Sequence, residues 1–463
     1  MMGRQEAAPQ LFYDFRLDDH VPADHLLRGI DQFLDLSALR VELAPFYSTI
    51  GRPSIDPDLM IRMLVVGYCM GLRSERRLCE EVHLNLAYRW FCRLGLNGKV
   101  PDHSTFSRNR HGRFRDSDIL RHLFESIVAR CLAEGLVGGE GFAADASLIA
   151  ADANRQRSVP GDHYDALAAK SEAVRAVQEY MARLDDAAFG AASEVTPKFI
   201  SSTDPAAQWT GALKGPAFFA YATNYLIDTE NAVILDVEAT RAIRQAEVGA
   251  SRTMLDRVEE RWGLKPEWIA ADSAYGSAAN LAWLVKEKQI APHIPVFGKS
   301  QRTDGTWSRE DFTWDGENDR YICPEGKELV QYHRTYATPR TGVDKDGCRR
   351  YRATTKDCSV CPSKPICCPN APARKIPRDL NEDSRDVARA IAKTPGYERS
   401  RHRRKKVEML FAHLKRILHL GRLRLRGPSG ARDEFLLAAT AQNLRKLAKL
   451  RPLKPHQNKL VPA

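Results

Sequence analysis

No stretch of this 463-residue chain stays apolar for the roughly 18 residues a membrane-spanning helix requires. The nearest approach, LMIRMLVVGYCMGL over residues 59–72, is shorter and carries Arg62, so it reads as a core helix. The N-terminus, MMGRQEAAPQLFYDF, lacks the basic-then-apolar order of a secretory signal. These two absences predict a cytoplasmic protein whose ten cysteines are reduced or metal-bound. There is no GxxxxGK[ST] segment, so no phosphate loop for ATP is expected. Nor is there an internal repeat. Acidic residues run out towards the C-terminus: from Arg399 to Ala463 there are 18 Lys and Arg against three acids, Glu408, Asp433 and Glu434. That segment is +15 in a chain of net charge +11, which leaves −4 for residues 1–398. So local an excess suits a polyanion-binding surface; a solvated basic face without a partner is the bland alternative.

What is present is globular in composition, 43% apolar and 28% charged, and long enough for two to four domains. Residues 1–135 read as mostly helical. A Gly-Arg-Pro turn precedes the apolar helix, and SERRLCEEVHLNLAYRWFCRLGL repeats apolar residues at Leu78, Val82, Leu86, Trp90 and Leu94. After the break at Gly98–Pro101, Asp102 or Ser104 is placed to cap a short helix bearing Arg108, Arg110 and Arg113. This could be a DNA-binding helical domain or an ordinary bundle with a charged face.

From residue 136 strands enter. GEGFAADASLIAADA predicts strand, turn and strand, and residues 163–187 a helix. FAYATNYLIDTENAVILDVEAT predicts a hairpin turning at DTEN. In residues 266–296, WIAAD reads as a buried strand, SAYGS as a tight loop, AANLAWLVKEK as a helix and PHIPV as a second strand, an α/β unit with ligand groups at strand ends. Residues 299–375 are polar and hold six of the ten cysteines; residues 384–419 and 433–450 are helical. The expected division is 1–135, a helical DNA-binding domain; 136–298, the first part of a catalytic core; 299–375, a cysteine-rich insertion; 376–450, the core's C-terminal helices; and 451–463, a tail.

Three carboxylates sit at structural junctions: Asp145 in FAADASLI, Asp272 at the end of WIAAD, and Glu408 within RSRHRRKKVEMLFAHLKR, where eight of eighteen residues are basic. Separately they read as a turn former (with Asp152 a competitor), a helix N-cap and half of a surface ion pair. Together they could hold two divalent ions that prepare a hydroxyl nucleophile and stabilise a leaving oxygen at phosphorus. Hard oxygen ligands suit Mg²⁺ (or Mn²⁺). On a helix, Glu408 and Lys415 share a face, Arg404 lies one turn before Glu408, and Val407, Leu410, Leu414 and Leu418 form an apolar stripe.

The chain resembles the DDE transposases of bacterial insertion sequences, which have a ribonuclease-H-like core. The likeness runs over roughly residues 50–450. It is carried by the segment from GRPSIDPDLM to DHSTFSR, by FAADASLIAADAN, by WIAADSAYGS and by RHRRKKVEMLFAHLKR. In one branch of that family the last segment follows Tyr-x2-Arg-x3-Glu-x6-Lys; Arg404, Glu408 and Lys415 keep the spacing, and Arg401 stands in place of the tyrosine. The resemblance implies an α/β fold, a ribonuclease-H-like mixed sheet flanked by helices, with a helical N-terminal domain and a small cysteine-rich insertion. It implies Asp145, Asp272 and Glu408 as catalytic metal ligands and Arg404 and Lys415 as DNA contacts; Arg401, a departure from the tyrosine, still suits a phosphate contact, as does Lys405 in the same basic run, and Arg108 and Arg110 are the helical domain's candidate DNA contacts. The implied activity is cleavage at the ends of a mobile element and strand transfer into target DNA. The partners would be double-stranded DNA (terminal inverted repeats and target) and a second copy of the chain or more, in a nucleoid-associated location. A nuclease without strand transfer and an inactive DNA-binding descendant are the rivals.

The cysteine grouping suggests a structural Zn²⁺ held by Cys323, Cys358, Cys361 and Cys367, with Cys368 as a substitute. Reduced, unliganded thiols are the alternative. Cys69, Cys79, Cys92 and Cys131 lie in helical stretches and read as core. His293 reads as a packed histidine, and His413 as pointing away from the acids.

Overall fold

The computed structural model describes residues 15–48, 50–51, 54–164, 174–183, 197–211, 215–296, 304–331, 342–345 and 347–451. Contacts divide the chain into two compact units, Met1–Lys265 with Arg403–Ala463, and Pro266–His402. Each unit is described by itself.

The first unit opens with helices α1 (Leu26–Asp31), α2 (Leu39–Leu43) and α3 (Pro57–Cys69). Asp56 caps α3 and Pro57 starts it, since a proline's missing N–H costs nothing in the first turn. The apolar run is core as expected, and its one cation, Arg62, is bonded to Asp31 at 2.7 Å. The apolar stripe from Leu78 to Leu94 is not one helix but two, α4 (Glu75–Leu84) and α5 (Leu86–Phe91). Asn85 is extended and its side-chain oxygen caps α5, which ends one helix and begins the other. Asp102, not Ser104, caps α6 (His103–Asn109). Helix α7 (Ile119–Ala133) completes the N-terminal set. Cys69, Cys79, Cys92 and Cys131 are buried, and burial pushes all four thiols up, Cys79 to about 11.

Where strand, turn and strand were expected there is one ten-residue strand, β1 (Gly141–Ala150). Its alanine-rich sequence fits between neighbouring elements, and Asp145 lies in mid-strand. Two short strands, β2 (Ser158–Pro160) and β3 (Phe199–Ser201), pair antiparallel. The helix expected over 163–187 is seen as α8 (Arg175–Met181), and the rest of that span lies largely outside the described residues. β4 (Gln208–Thr210) and the hairpin β5 (Phe218–Asp228) and β6 (Ile234–Arg241) follow; β5 pairs antiparallel with β1, β4 and β6. Helix α9 (Arg244–Trp262) ends at Gly263, whose φ of 64° is the left-handed cap that glycine adopts without a Cβ clash.

The second unit begins with the α/β segment read from the sequence. Strand β7 (Trp268–Ala270) is followed by α10 (Ala278–Ala282), and β8 (Ala291–His293) lies parallel to β7. A five-stranded antiparallel sheet of order β13-β12-β11-β10-β9 then forms from β9 (Thr313–Asp315), β10 (Arg320–Ile322), β11 (Glu328–Gln331), β12 (Cys348–Arg352) and β13 (Lys375–Asp379). Short helices α11 (Thr355–Ser359) and α12 (Lys364–Cys367) carry four of the cysteines on or beside them. The sheet's inner face buries Tyr321, Leu329, Tyr351 and Ile376 with Phe312, Cys367 and Cys368. Helix α13 (Glu382–Ile391) follows, with Glu382 buried among Arg309, Arg385 and Arg389 at 2.5, 3.1 and 2.8 Å.

The expected helix over 384–419 breaks before Pro395, which starts α14 (Pro395–Arg416). α15 (Gly427–Leu450) begins six residues earlier than its apolar pattern indicated. Its first turn is anchored by side chains: Gly427 N–H donates to Asp204 at 3.2 Å and Ser429 N–H to Glu179 at 3.0 Å. Gly427 is at φ 82°, and a Cβ there would meet Ala176 at about 2.9 Å. Among the described residues there are thirteen strands and fifteen α-helices, the mixed α/β content of a ribonuclease-H-like domain with a helical N-terminal region.

Candidate active site

Strand register sets the site. Asp145 on β1 lies opposite Tyr225 on β5, and side chains opposite one another share a face of the sheet. Tyr225 stacks on Phe411 of α14 at 4.8 Å and its hydroxyl donates to Gln442 of α15 at 3.0 Å. Val407, Leu410, Leu414 and Leu418 are buried, as the stripe predicted. So α14 packs on the face that carries Asp145. Arg404, part-buried, points one guanidinium nitrogen to Asp145 at 3.5 Å and the other to Glu408 at 3.0 Å. Two acids far apart in sequence are thus brought within reach of one side chain. Asp145 also accepts its neighbour's amide, Ala146 N–H, at 2.8 Å.

Asp272 belongs to the second unit. It lies just past β7 and caps a 3₁₀ turn, accepting Ala274 N–H at 2.7 Å. The cap reading therefore holds locally, and one N–H leaves its second carboxylate oxygen unused by that bond. Asp152, the competitor of Asp145, is bonded to Arg422 and Arg426, both at 2.9 Å, and serves as an ion-pair anchor.

The basic helix sorts its own charges. Arg403 pairs with Glu140 at 3.3 Å, Lys406 donates to the carbonyls of Thr229 and Glu230, and Arg401 pairs with Glu398 at 3.5 Å. Lys405, Lys415 and Arg416 are exposed and carry no partner among the described residues, and partial burial of Lys415 lowers its pKa. In the N-terminal helices the same sorting separates Arg108 from Arg110. Arg108 is exposed and has no partner among the described residues. Arg110 is buried, donating to Glu75 and Tyr68, both at 2.9 Å. As a DNA contact Arg110 is therefore corrected: its charge is spent inside the fold, a use the sequence concealed because exposed and buried arginines look alike.

The cysteines do not form the expected tetrad. Among the described residues no group of three or more His, Cys, Asp or Glu is placed to hold a metal ion. Cys367 and Cys368 lie in the apolar cluster under the small sheet, with Cys323 and Cys358 packed against it. Burial first, and the neighbouring Cys368 next, push the Cys367 thiol up to about 12. His293 packs between Trp268 and Tyr397 and bonds Ser400 at 2.8 Å, and burial lowers its pKa. His413 bonds Gln442 at 3.2 Å, away from the acids.

The oxygen donors suit a hard cation. Mg²⁺ takes one or two protein carboxylates and fills its remaining positions with water and substrate phosphate, so a pair such as Asp145 and Glu408 meets its demand without a third ligand from the same unit. The first unit thus sets two carboxylates beside exposed cations of α14.

Two family models match the chain: a transposase domain (DUF772) over residues 15–112 and a transposase DDE domain over residues 322–448. Both models describe transposases, and together they support a DDE transposase of the insertion-sequence type. The first match spans α1 to α6 and contains Arg108; the second runs from the small sheet through α15 and contains Glu408. Asp145 and Asp272 lie outside both. No curated protein and no solved structure matches the chain. Transposases act on DNA, so the two matches support DNA as the partner; no described helix is long and apolar enough to cross a membrane.

Proposed function

We propose that the protein cuts DNA at the ends of a mobile element and joins the freed 3′-hydroxyl to target DNA, with Asp145, Asp272 and Glu408 as the metal-binding acids. The observation that carries this reading is the pairing of Asp145 and Glu408 through Arg404. Bound divalent ions would lower the pKa of the attacking water or hydroxyl and neutralise charge at phosphorus. Asp145 and Glu408 offer their oxygens from a rigid strand and a packed helix, which favours a fixed attack geometry. Lys405, Lys415 and Arg416 present unspent charge to the phosphate backbone, with Lys405 and Lys415 about 15 Å apart along the helix. Arg401 and Arg404 are further phosphate contacts of the same helix. Arg108, on the exposed side of α6, contacts the element's terminal repeats. By the family resemblance the protein works as a dimer or larger on DNA, in the cytoplasm at the nucleoid.

The test is Asp145→Asn, Asp272→Asn and Glu408→Gln, each assayed for Mg²⁺-dependent cleavage of a terminal-repeat duplex. Each abolishes cleavage and leaves duplex binding intact. Undiminished cleavage by any of the three removes that residue from the set. Joined products recovered from a target plasmid distinguish transposition from plain nuclease action, and cleavage without joining favours the nuclease.

A further inference from the structure

The placement of Arg404 carries more than a phosphate contact. Its side chain is 22% exposed, and the carboxylates it spans are 18% exposed at Asp145 and 54% at Glu408. The backbone around them is fixed by buried Val407, Leu410 and Leu414 and by the Phe411–Tyr225 stack. The Arg404–Glu408 pair alone would be an ordinary i,i+4 contact; the reach to Asp145, on another element, makes it a bridge. A guanidinium between two carboxylates uses the lone pairs a divalent cation would need, and it reduces the local charge from −2 to −1. A planar guanidinium also has a good alternative partner in a phosphate, which it can bind through two N–H groups.

We infer that Arg404 is a positioning residue that competes with the divalent cation for Asp145 and Glu408 and is drawn away by DNA phosphate, so that metal loading follows DNA binding. The inference rests on the reading of Asp145 and Glu408 as metal ligands. Without DNA, the carboxylates are held in place and partly neutralised by the arginine. With DNA, the guanidinium moves to the backbone and both carboxylates turn their charge to the metal. Linkage then requires reciprocity: whatever factor DNA adds to metal affinity, metal adds to DNA affinity. The arrangement restrains an endonuclease from loading its metal off its substrate.

The experiment is Mn²⁺ binding to the full-length protein, read from the electron paramagnetic resonance signal of free Mn²⁺, with and without a mixed-sequence duplex. The wild type binds Mn²⁺ about tenfold more tightly with duplex than without, the size expected for removing one positive charge a few ångströms away at a part-exposed site. Arg404→Gln binds Mn²⁺ tightly without DNA, and the duplex adds little. Arg404→Lys, which keeps the charge but not the fork, falls between them. Asp145→Asn and Glu408→Gln separate the two ideas. If they leave Mn²⁺ binding unchanged, the metal-site reading itself falls. If they weaken it while Arg404→Gln matches the wild type in affinity and in DNA dependence, the competition by Arg404 is refuted and the metal site stands. A merely structural role for Arg404 would lower Mn²⁺ affinity on substitution, the opposite sign.

Discussion

The double variant Lys405→Ala, Lys415→Ala puts a number on the basic helix. Both lysines are exposed and without a partner among the described residues, so each can give its charge to a phosphate, although partial burial lowers the pKa of Lys415. Each phosphate contact contributes roughly 0.9 to the slope of log affinity against log salt on B-form DNA, so losing two lowers the slope by roughly 1.8. Between about 50 and about 200 mM salt, the affinity gap between parent and variant therefore closes roughly tenfold. Fluorescence anisotropy with a labelled duplex across that range measures it. Phosphates carry no sequence, so the loss is equal on a terminal-repeat duplex and an unrelated one. Arg403→Ala supplies the contrast: its guanidinium already faces Glu140, and the slope changes much less. An unchanged slope in the double variant would refute the assignment of these lysines to the DNA backbone. A loss confined to the terminal-repeat duplex would refute it as well.

Other consequences follow from the same structure. Arg108→Ala weakens binding to a terminal-repeat duplex more than to an unrelated one, and equal losses in a competition assay would reduce Arg108 to a phosphate contact. Glu382→Ala leaves three guanidinium groups facing one another in a buried site and destabilises the protein by about 3–5 kcal/mol, read by denaturant unfolding. Against the upward push of burial, Arg309 and Arg385 by charge and Arg389 by its hydrogen bond hold the Glu382 carboxyl below its ordinary value. Its contribution is complete above the ordinary carboxylate range and is lost as pH falls through the lowered value, and a thermal melt series in acid checks this. Asp433 behaves oppositely: burial raises its pKa to about 7, so the folded state holds a proton the unfolded chain releases, and stability falls as pH rises from the ordinary value of 3.8 towards 7. Asp433→Asn removes that slope, and its melting temperature exceeds the wild type's by more at pH 8 than at pH 5; a constant difference would contradict it.

Much of the fold was legible because it rests on local pattern. The DTEN hairpin, the strand–loop–helix–strand of residues 266–296 and the buried stripe of α14 follow from period-2 and period-3.6 spacing, which a chain cannot bury any other way. The misreadings have local causes that pattern alone hides. Asn85 divides one apolar stripe into two helices by capping the second, and Pro395 does the same to the 384–419 helix by having no amide to donate. The ten residues of β1 run straight through a stretch whose alanines and acids look like a turn.

The candidate site shows the same division. Sequence by itself carried the resemblance to DDE transposases, put the positive charge in one segment and singled out three acids, because motifs and charge are properties of residue order. Only the tertiary structure decided what each charge does. It turned eight cations of one segment into a few with free charge and several spent on Glu398, Glu140, two carbonyls and the acid pair. It withdrew Arg110 into a buried bond with Glu75 and left Arg108 outside. It set Cys367 and Cys368 in the apolar cluster under the small sheet. The physical reason is that an ionic side chain's role depends on what faces it within about 4 Å and on how much water remains, and both are fixed by register and packing between residues hundreds of positions apart.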